Sequence, residues 1–153
     1  MDNRNLSMLC DFYELTMSNG YFKNDFYRRN TYFDVFFRSI PDHGGFAIAA
    51  GLEQIVEYIP QLHFTEEDIA YLRSKKLFDQ GFLDYLRSFR FTGDLYAVPE
   101  GTPVFPNEPI LTVKAPAIEA QLIETYLLLS INHQSLIATK ANRIVRAAQG
   151  KTV

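Results

Sequence analysis

Hydrophobic positions along the chain follow helical spacing in some segments and strand-like patterns in others. Apolar residues that recur every three or four positions predict helices at 11–22, 46–58, 66–75, 80–89 and 116–149. Short runs rich in β-branched and aromatic residues, bounded by turn residues, predict strands at 31–37, 93–98, 103–105 and 109–113. Helices and strands are mixed without strict alternation, so the sequence predicts an α+β fold.

Residues at the helix ends support these boundaries. Asp11 is followed by Glu14, and Thr65 by Asp68, which is the spacing of a capping box at a helix start. Pro116 suits the first position of the last helix, and Gly150 suits the residue after its end. The three residues that follow, up to Val153, are interpreted as the start of a further strand.

The last predicted helix is unusually long and apolar on more than one side. Its roughly 33 residues would extend about 50 Å, so we predict a break within it, near Asn132. A small upstream domain cannot cover all of its apolar residues, which include Leu122, Tyr126, Leu129, Leu136 and Val145. We therefore divide the chain into a domain at 1–115 and a helical segment at 116–150, and expect a further domain, absent from this chain, to pack on that segment. The alternative is dimerisation, in which a second copy of the chain covers these apolar residues.

Composition narrows the function classes. The chain has 153 residues, of which 47% are hydrophobic and 22% charged, as in one globular domain. A net charge of −3 argues against nucleic-acid and anionic-membrane partners. Cys10 is the only cysteine, which excludes an intramolecular disulfide and fits a reducing compartment, so we expect the cytoplasm. No signal peptide or apolar run of about 18 residues is present.

Candidate chemistry is confined to four places. Tyr13, beside Asp11 in the first turn of a helix, has a ring that can stack on a flat ligand. Arg38, after an aromatic strand and before a glycine-rich loop, can bind a phosphate through two hydrogen bonds. The turn at 99–102 and the segment at 135–143 complete the set. For each of them a structural role is the commoner explanation. The three histidines have no metal-ligand spacing, so we predict no metal site.

These motifs, taken in order, resemble those of the nicotinate phosphoribosyltransferase family. The opening DFYELTMSNGYF, the segment FDVFFRSIPDHGGFAIAAGLEQ, and the later PEG, FPNEP and SLIATKA carry the resemblance, which covers nearly the whole chain. It implies the N-terminal α/β domain of a type II phosphoribosyltransferase, followed by an irregular α/β barrel that holds the catalytic residues. No catalytic residue is therefore expected in this chain, and all of them are expected beyond Val153.

The resemblance assigns substrate-binding roles to three residues. Tyr13 matches a tyrosine that stacks on the pyridine ring, reaching the partner's barrel across a head-to-tail homodimer interface. Asp11 begins the same motif and would orient the helix or the ligand. Arg38 matches an arginine that approaches phosphate from the neighbouring subunit.

The implied reaction belongs to NAD biosynthesis. Nicotinate and 5-phosphoribosyl 1-diphosphate would form nicotinate mononucleotide and diphosphate, with coupled ATP hydrolysis and Mg²⁺, neither of which is bound by a motif in this chain. The isolated chain is expected to be inactive. A nicotinamide phosphoribosyltransferase and a non-catalytic interaction domain are the alternatives.

Overall fold

The computed structural model describes residues 5–40, 42 and 44–153 and has mixed α and β structure, which confirms the predicted α+β class. The α-helices of this part are α1 (Phe12–Lys23), α2 (Leu52–Tyr58), α3 (Glu66–Ser74), α4 (Gln80–Arg87), α5 (Ala117–Leu122) and α6 (Glu124–Ala148). The strands are β1 (Asn30–Val35), β2 (Ala47–Ile48), β3 (Asp94–Ala97), β4 (Pro103–Val104) and β5 (Leu111–Pro116). A short 3₁₀ helix, Ile59–Gln61, follows α2.

Strand β5 is the centre of a three-stranded antiparallel sheet with the order β1-β5-β3. Val113 of β5 pairs with Phe33 on one side and with Leu95 on the other. Every second residue of β5 is buried, beginning at Leu111, so one face of the sheet contributes to the core. Strands β2 and β4 form a separate antiparallel pair.

Helices α3 and α4 form the best-predicted part of the chain. Thr65 and Asp68 make the reciprocal capping box that their spacing indicated, with the Thr65 hydroxyl accepting from the Asp68 N–H at 3.2 Å. The apolar residues of the second helix and its end are buried as predicted: Phe82, Leu83, Leu86 and Phe89. Local sequence signals were sufficient here.

Helix α1 lies where it was predicted, but its buried face is polar. Asp11 is the N-cap residue, although its side chain makes no capping hydrogen bond. Of its apolar residues Leu15 is buried, whereas Phe12 and Met17 are 45% and 42% exposed. The buried residues are Glu14, Leu15, Ser18 and Asn19. Polar partners explain this orientation, since Asn19 Oδ1 accepts the backbone N–H of Asp79 at 3.0 Å.

The helix predicted at 46–58 is wrong in its first part. Ala47 and Ile48 form strand β2, and the helix begins only at Leu52. Gly51, with φ of 105°, separates the two elements because this left-handed conformation cannot continue a helix. The strand predicted at 109–113 is also displaced, and lies at Leu111–Pro116.

The last helix is broken at Ile123 and not near Asn132. Pro116 is the last residue of β5 and the N-cap residue of α5, whereas the sequence predicted it at the first position inside the helix. All residues of α5 are buried, whereas α6 passes over α2 and β2 with one side open. The break therefore lies where full burial of the helix ends. Within the described residues, no helix is long and apolar enough to cross a membrane.

The residues after α6 do not form the strand that was predicted to start there. Gln149 and Gly150 both have a left-handed backbone, with φ of 50° and 84°, and this reverses the chain at the helix end. The Lys151 N–H then donates back to the Ala148 carbonyl at 3.0 Å, and Val153 is exposed without a strand partner among the described residues. The placement of the catalytic residues beyond Val153 is not tested by these contacts and stays a prediction.

Candidate functional site

Tyr13 lies in the first turn of α1, with its side chain anchored at the hydroxyl end. It is 44% exposed, and its hydroxyl donates to Glu124 Oε1 at 2.8 Å. The other carboxylate oxygen of Glu124 accepts from Gln121 Nε2 at 2.7 Å. The hydrogen bond to Glu124 is the main reason why the pKa of Tyr13 lies above its ordinary value. The aromatic ring is thus accessible while its hydroxyl is fixed.

Asp11 contributes its main chain to the same region. Its backbone N–H donates to Thr125 Oγ1 at 3.2 Å. Thr125 in turn donates to Glu14 Oε1 from its own N–H at 3.1 Å and from its hydroxyl at 2.5 Å. Asp11 and Tyr13 are therefore brought together, and both are attached to the first turn of α6. Asp11 itself is exposed.

Glu14 is a buried carboxyl group beside Tyr13. It is 0% exposed, and burial raises its pKa to about 7, with the Thr125 hydrogen bonds acting in the opposite direction. Among the described residues, its Oε2 has no hydrogen-bond partner. Asp11 and Glu124 add further negative charge nearby. The start of α1 is consequently an acidic environment, whereas the sequence had indicated only a capping role for Glu14.

Three further side chains, Tyr58, Tyr126 and Cys10, lie near Glu14 or pack against its neighbours without adding a nucleophile. Tyr58 of α2 stacks on Tyr126 of α6, with ring centroids 3.8 Å apart and an interplanar angle of 15°. Burial raises the pKa of the nearby Cys10 thiol to about 12, so the thiol stays protonated. A protonated, partly buried thiol is a packing group, and covalent catalysis by Cys10 is not supported.

A cavity of about 190 Å³ lies between β1, β5 and the start of α6. It is mainly apolar and is lined by Phe33, Asp34, Val35, Val113, Ala120, Glu124, Leu127 and Leu128. Its charged residues, Asp34 and Glu124, are both acidic, so the cavity does not suit an anion. Glu124, which binds the Tyr13 hydroxyl, and Val35, which lies three residues before Arg38, both line this cavity.

Arg38 lies in the loop beyond β1, which ends at Val35. Arg38 is exposed, and the preceding carbonyl of Phe37 accepts the Asn107 N–H at 2.7 Å. The FPNEP turn therefore fixes the backbone just before Arg38. On the far side of the loop, Arg143 of α6 lies 3.6 Å from Asp42. The loop is held near α6, but no hydrogen bond or ion pair among the described residues joins Arg38 to Tyr13. His43, one of the three histidines of the sequence, lies outside the described residues.

The PEG motif has a structural role that spacing alone did not reveal. Glu100 Oε1 accepts the backbone N–H groups of Gly51 at 2.8 Å and Leu52 at 2.7 Å, and so caps α2 from a distant turn. A side chain at Gly51 would meet the backbone oxygen of Ser130 at 2.7 Å. The turn at 99–102 thus holds the start of α2 in place, and the Glu100 carboxylate is already engaged in these hydrogen bonds.

The SLIATKA motif fastens the β2 region to α6. The hydroxyl of Ser135 accepts the Ala50 N–H at 3.1 Å, and that of Thr139 accepts the Ile48 N–H at 2.8 Å. Both side chains are buried, so Thr139 has a structural role in this segment. Lys140 is exposed, as expected. Anion binding by this segment has no support from these contacts.

The described part of the chain, residues 5–40, 42 and 44–153, does not bring metal ligands together. It has no group of three or more His, Cys, Asp or Glu side chains able to hold a metal ion. These residues therefore do not form an all-protein metal site of that kind, and no chemical step is assigned to a metal here.

Comparison with known proteins gives consistent matches along the chain. Residues 8–132 match the family described as the nicotinate phosphoribosyltransferase (NAPRTase) N-terminal domain. A nicotinate phosphoribosyltransferase of Mycobacterium tuberculosis is 44% identical over 147 residues, which cover 96% of this chain and 32% of that protein. One of Bacillus subtilis is 45% identical over 139 residues, covering 91% of this chain and 28% of that protein.

Solved structures share the fold. The crystal structure of human nicotinic acid phosphoribosyltransferase has a TM-score of 0.85 and 35% identity, and the match covers 94% of this chain and 29% of that one. A nicotinate-nucleotide pyrophosphorylase of Pyrococcus furiosus, at 23% identity and a TM-score of 0.69, shares the fold alone. The chain spans about a third of the length of the curated relatives it matches.

Proposed function

Because the chain belongs to the nicotinate phosphoribosyltransferase family through its N-terminal domain, we propose that it serves an enzyme of that activity. The enzyme would join nicotinate to 5-phosphoribosyl 1-diphosphate, forming nicotinate mononucleotide and diphosphate with coupled ATP hydrolysis. The observation that carries this proposal is the family match over residues 8–132, extended by 44% identity to a nicotinate phosphoribosyltransferase over 96% of the chain.

The role proposed for Tyr13 is to stack on the pyridine ring of nicotinate. Its exposed ring and fixed hydroxyl support this role, because a flat ligand needs an accessible aromatic face held in one orientation. Such stacking would keep the pyridine nitrogen in line with the ribose carbon from which diphosphate departs, which favours reaction through orientation.

Tyr13 would reach its ligand across an interface between two copies. Its neighbours on the outer side of α1 are unusually apolar for a surface, with Leu9, Phe12 and Met17 all more than 40% exposed. We propose that this surface belongs to a head-to-tail homodimer, in which Arg38 would approach a phosphate of the substrate. Asp11 would orient the start of α1.

The outer side of α6 supports the proposal of an adjoining catalytic barrel. Large apolar side chains are exposed along it, namely Leu129, Ile137, Ile144 and Val145. A helix with two apolar sides is normally covered on both. In this proposal the helical segment at 116–150 joins the domain at 1–115 to the barrel, and the barrel supplies the catalytic residues from beyond Val153.

ATP and Mg²⁺ would be held by the barrel in this proposal, since the described residues offer no metal cluster. When bound, Mg²⁺ would stabilise the negative charge of the departing diphosphate. We further propose that the enzyme works in the cytoplasm, with the single cysteine as support.

The test measures nicotinate mononucleotide formed by the complete enzyme that contains this domain. We expect Tyr13→Ala to raise the KM for nicotinate by about tenfold or more, because a lost aromatic contact is worth roughly 0.5–1.5 kcal/mol beyond its buried area. The KM for 5-phosphoribosyl 1-diphosphate should change little. Tyr71→Ala, at a 50% exposed tyrosine of α3, is the matched control.

The outcomes separate the parts of the proposal. Absence of product from the wild-type enzyme would refute the activity, and a preference for nicotinamide would favour the amide-using alternative. An unchanged KM for nicotinate in Tyr13→Ala would refute stacking alone. Product formed by the 153-residue chain by itself would contradict the need for a barrel.

A further inference from the structure

We propose that Glu124 is the positioning residue of Tyr13, an inference that rests on the proposed stacking of Tyr13 on nicotinate. Tyr13 donates to Glu124 Oε1 at 2.8 Å, and Gln121 Nε2 donates to Glu124 Oε2 at 2.7 Å. Each carboxylate oxygen therefore has its own donor, and the plane of the carboxylate is fixed. The ring of Tyr13 has its one polar end attached to this fixed group.

The place of Glu124 in the fold makes it a firm support. It is the first residue of α6 and follows Ile123, which is 0% exposed. Its negative charge also lies at the N-terminal end of a 25-residue helix, where the helix dipole stabilises a carboxylate. Glu124 is therefore held by its backbone, by Gln121 and by the helix field.

Backbone and side chain of the stacking motif are held by different residues. Thr125 accepts the Asp11 N–H at 3.2 Å and thereby fixes the start of α1. Glu124 holds only the Tyr13 hydroxyl. Without Glu124, the helix start would remain in place while the partly exposed tyrosine gained other side-chain rotamers. Removal of Glu124 should thus affect ligand orientation more than folding.

The hydrogen bond also suits the chemistry of a pyridine ligand. A phenol that donates to an ionised carboxylate forms a charge-assisted bond and gains electron density in its ring. An electron-richer ring stacks more favourably on an electron-poor ring such as pyridine. The fixed position of the Tyr13 ring and its higher electron density therefore both favour stacking on a pyridine.

The experiment compares Glu124→Ala, Glu124→Gln, Tyr13→Phe and the double variant Glu124→Ala/Tyr13→Phe in the complete enzyme. We expect Glu124→Ala to raise the KM for nicotinate by about threefold to tenfold with little change in kcat, which is the scale of one partly screened charge-assisted hydrogen bond. Glu124→Gln should recover most of this loss. The glutamine Nε2 can donate to the phenol oxygen while its Oε1 accepts from Gln121.

Tyr13→Phe should give a KM similar to that of Glu124→Ala, and the double variant should be no worse than either single variant, since both remove one interaction. Glu67→Ala, at an exposed glutamate of α3, controls for loss of a surface carboxylate. Crystal structures of the wild-type and Glu124→Ala enzymes add a readout without catalysis. We expect one Tyr13 rotamer in the former and several in the latter.

Three results would overturn the inference: an unchanged KM for nicotinate in Glu124→Ala, multiplicative effects in the double variant, or an unmoved Tyr13 ring in the Glu124→Ala crystal. A wild-type enzyme without activity would instead refute the proposed function. In that case the Tyr13 ring in the two crystals still decides whether Glu124 holds it.

Discussion

Replacing the buried carboxyl group of Glu14 by an amide should stabilise the domain at high pH and leave it nearly unchanged at low pH. Glu14→Gln keeps the shape of the side chain and an oxygen acceptor for Thr125, which donates twice to Glu14 Oε1. The amide cannot ionise. It therefore removes the cost of placing a negative charge in a position that is 0% exposed.

The size of the effect follows from the pKa of Glu14, which burial raises from the ordinary value of 4.5 to about 7 in the folded chain. The folded state binds the proton more tightly than the unfolded state, so its stability is greatest below the unfolded pKa. Stability is then lost as the pH rises through the folded pKa, by up to about 3 kcal/mol. Glu14→Gln should escape this loss.

Urea unfolding followed by circular dichroism, at about pH 5 and about pH 8, measures the difference directly. The variant should gain up to about 3 kcal/mol in free energy of unfolding relative to wild type at the higher pH, and much less at the lower pH. Glu67→Gln, at an exposed position of α3, should track wild type at both. A gain that does not grow with pH would refute the assigned cost of ionising Glu14.

Three further substitutions, with Gly20→Ala as a comparison for one of them, test tertiary contacts of the fold by urea or thermal unfolding. Glu100→Ala should lower the free energy of unfolding by about 1–3 kcal/mol, because the first N–H groups of α2 lose their acceptor; wild-type stability would contradict the capping role. Gly51→Ala should lower the free energy of unfolding by roughly 2 kcal/mol or more, since φ is 105° and the new methyl group meets a backbone oxygen of α6. Gly20→Ala, on the open side of α1, should instead raise the free energy of unfolding by about 0.5–1 kcal/mol. Equal effects of the two would be inconsistent with this account. Thr139→Val should cost about 1–3 kcal/mol because a backbone N–H of β2 loses its acceptor, and a neutral result would contradict a stabilising role for this hydrogen bond.

The parts of the fold that sequence predicted well depend on nearby residues. The capping box of Thr65 and Asp68 spans three positions, and the apolar face of α4 repeats within three turns. Such signals are complete within a short window. The sequence also identified the start of α1, including Asp11 and Tyr13, because a cap and an aromatic in the first turn are local features.

The parts that sequence missed depend on partners far along the chain. Ser135 binds the backbone of Ala50, 85 residues away, and Glu100 caps a helix that begins 48 residues earlier. A carboxylate that caps a distant helix looks, in sequence, like any polar residue of a turn. The burial of Glu14 was missed for the same reason, since its partner Thr125 is 111 residues away. Only the tertiary structure brings these polar residues to their partners.

Helix α6 provides a common reference for the two regions to which substrate contacts were assigned. Its first two residues hold the hydroxyl of Tyr13 and the backbone of Asp11, and Arg143, five turns later, lies against the loop that follows Arg38. A continuous helix changes its length very little, so the distance between these regions is determined by the domain itself before any ligand or partner arrives. If these regions contact substrate as proposed, that pre-organisation would lower the entropy lost on binding. Four polar side chains of this helix are likewise engaged in hydrogen bonds within the fold: Glu124, Thr125, Ser135 and Thr139.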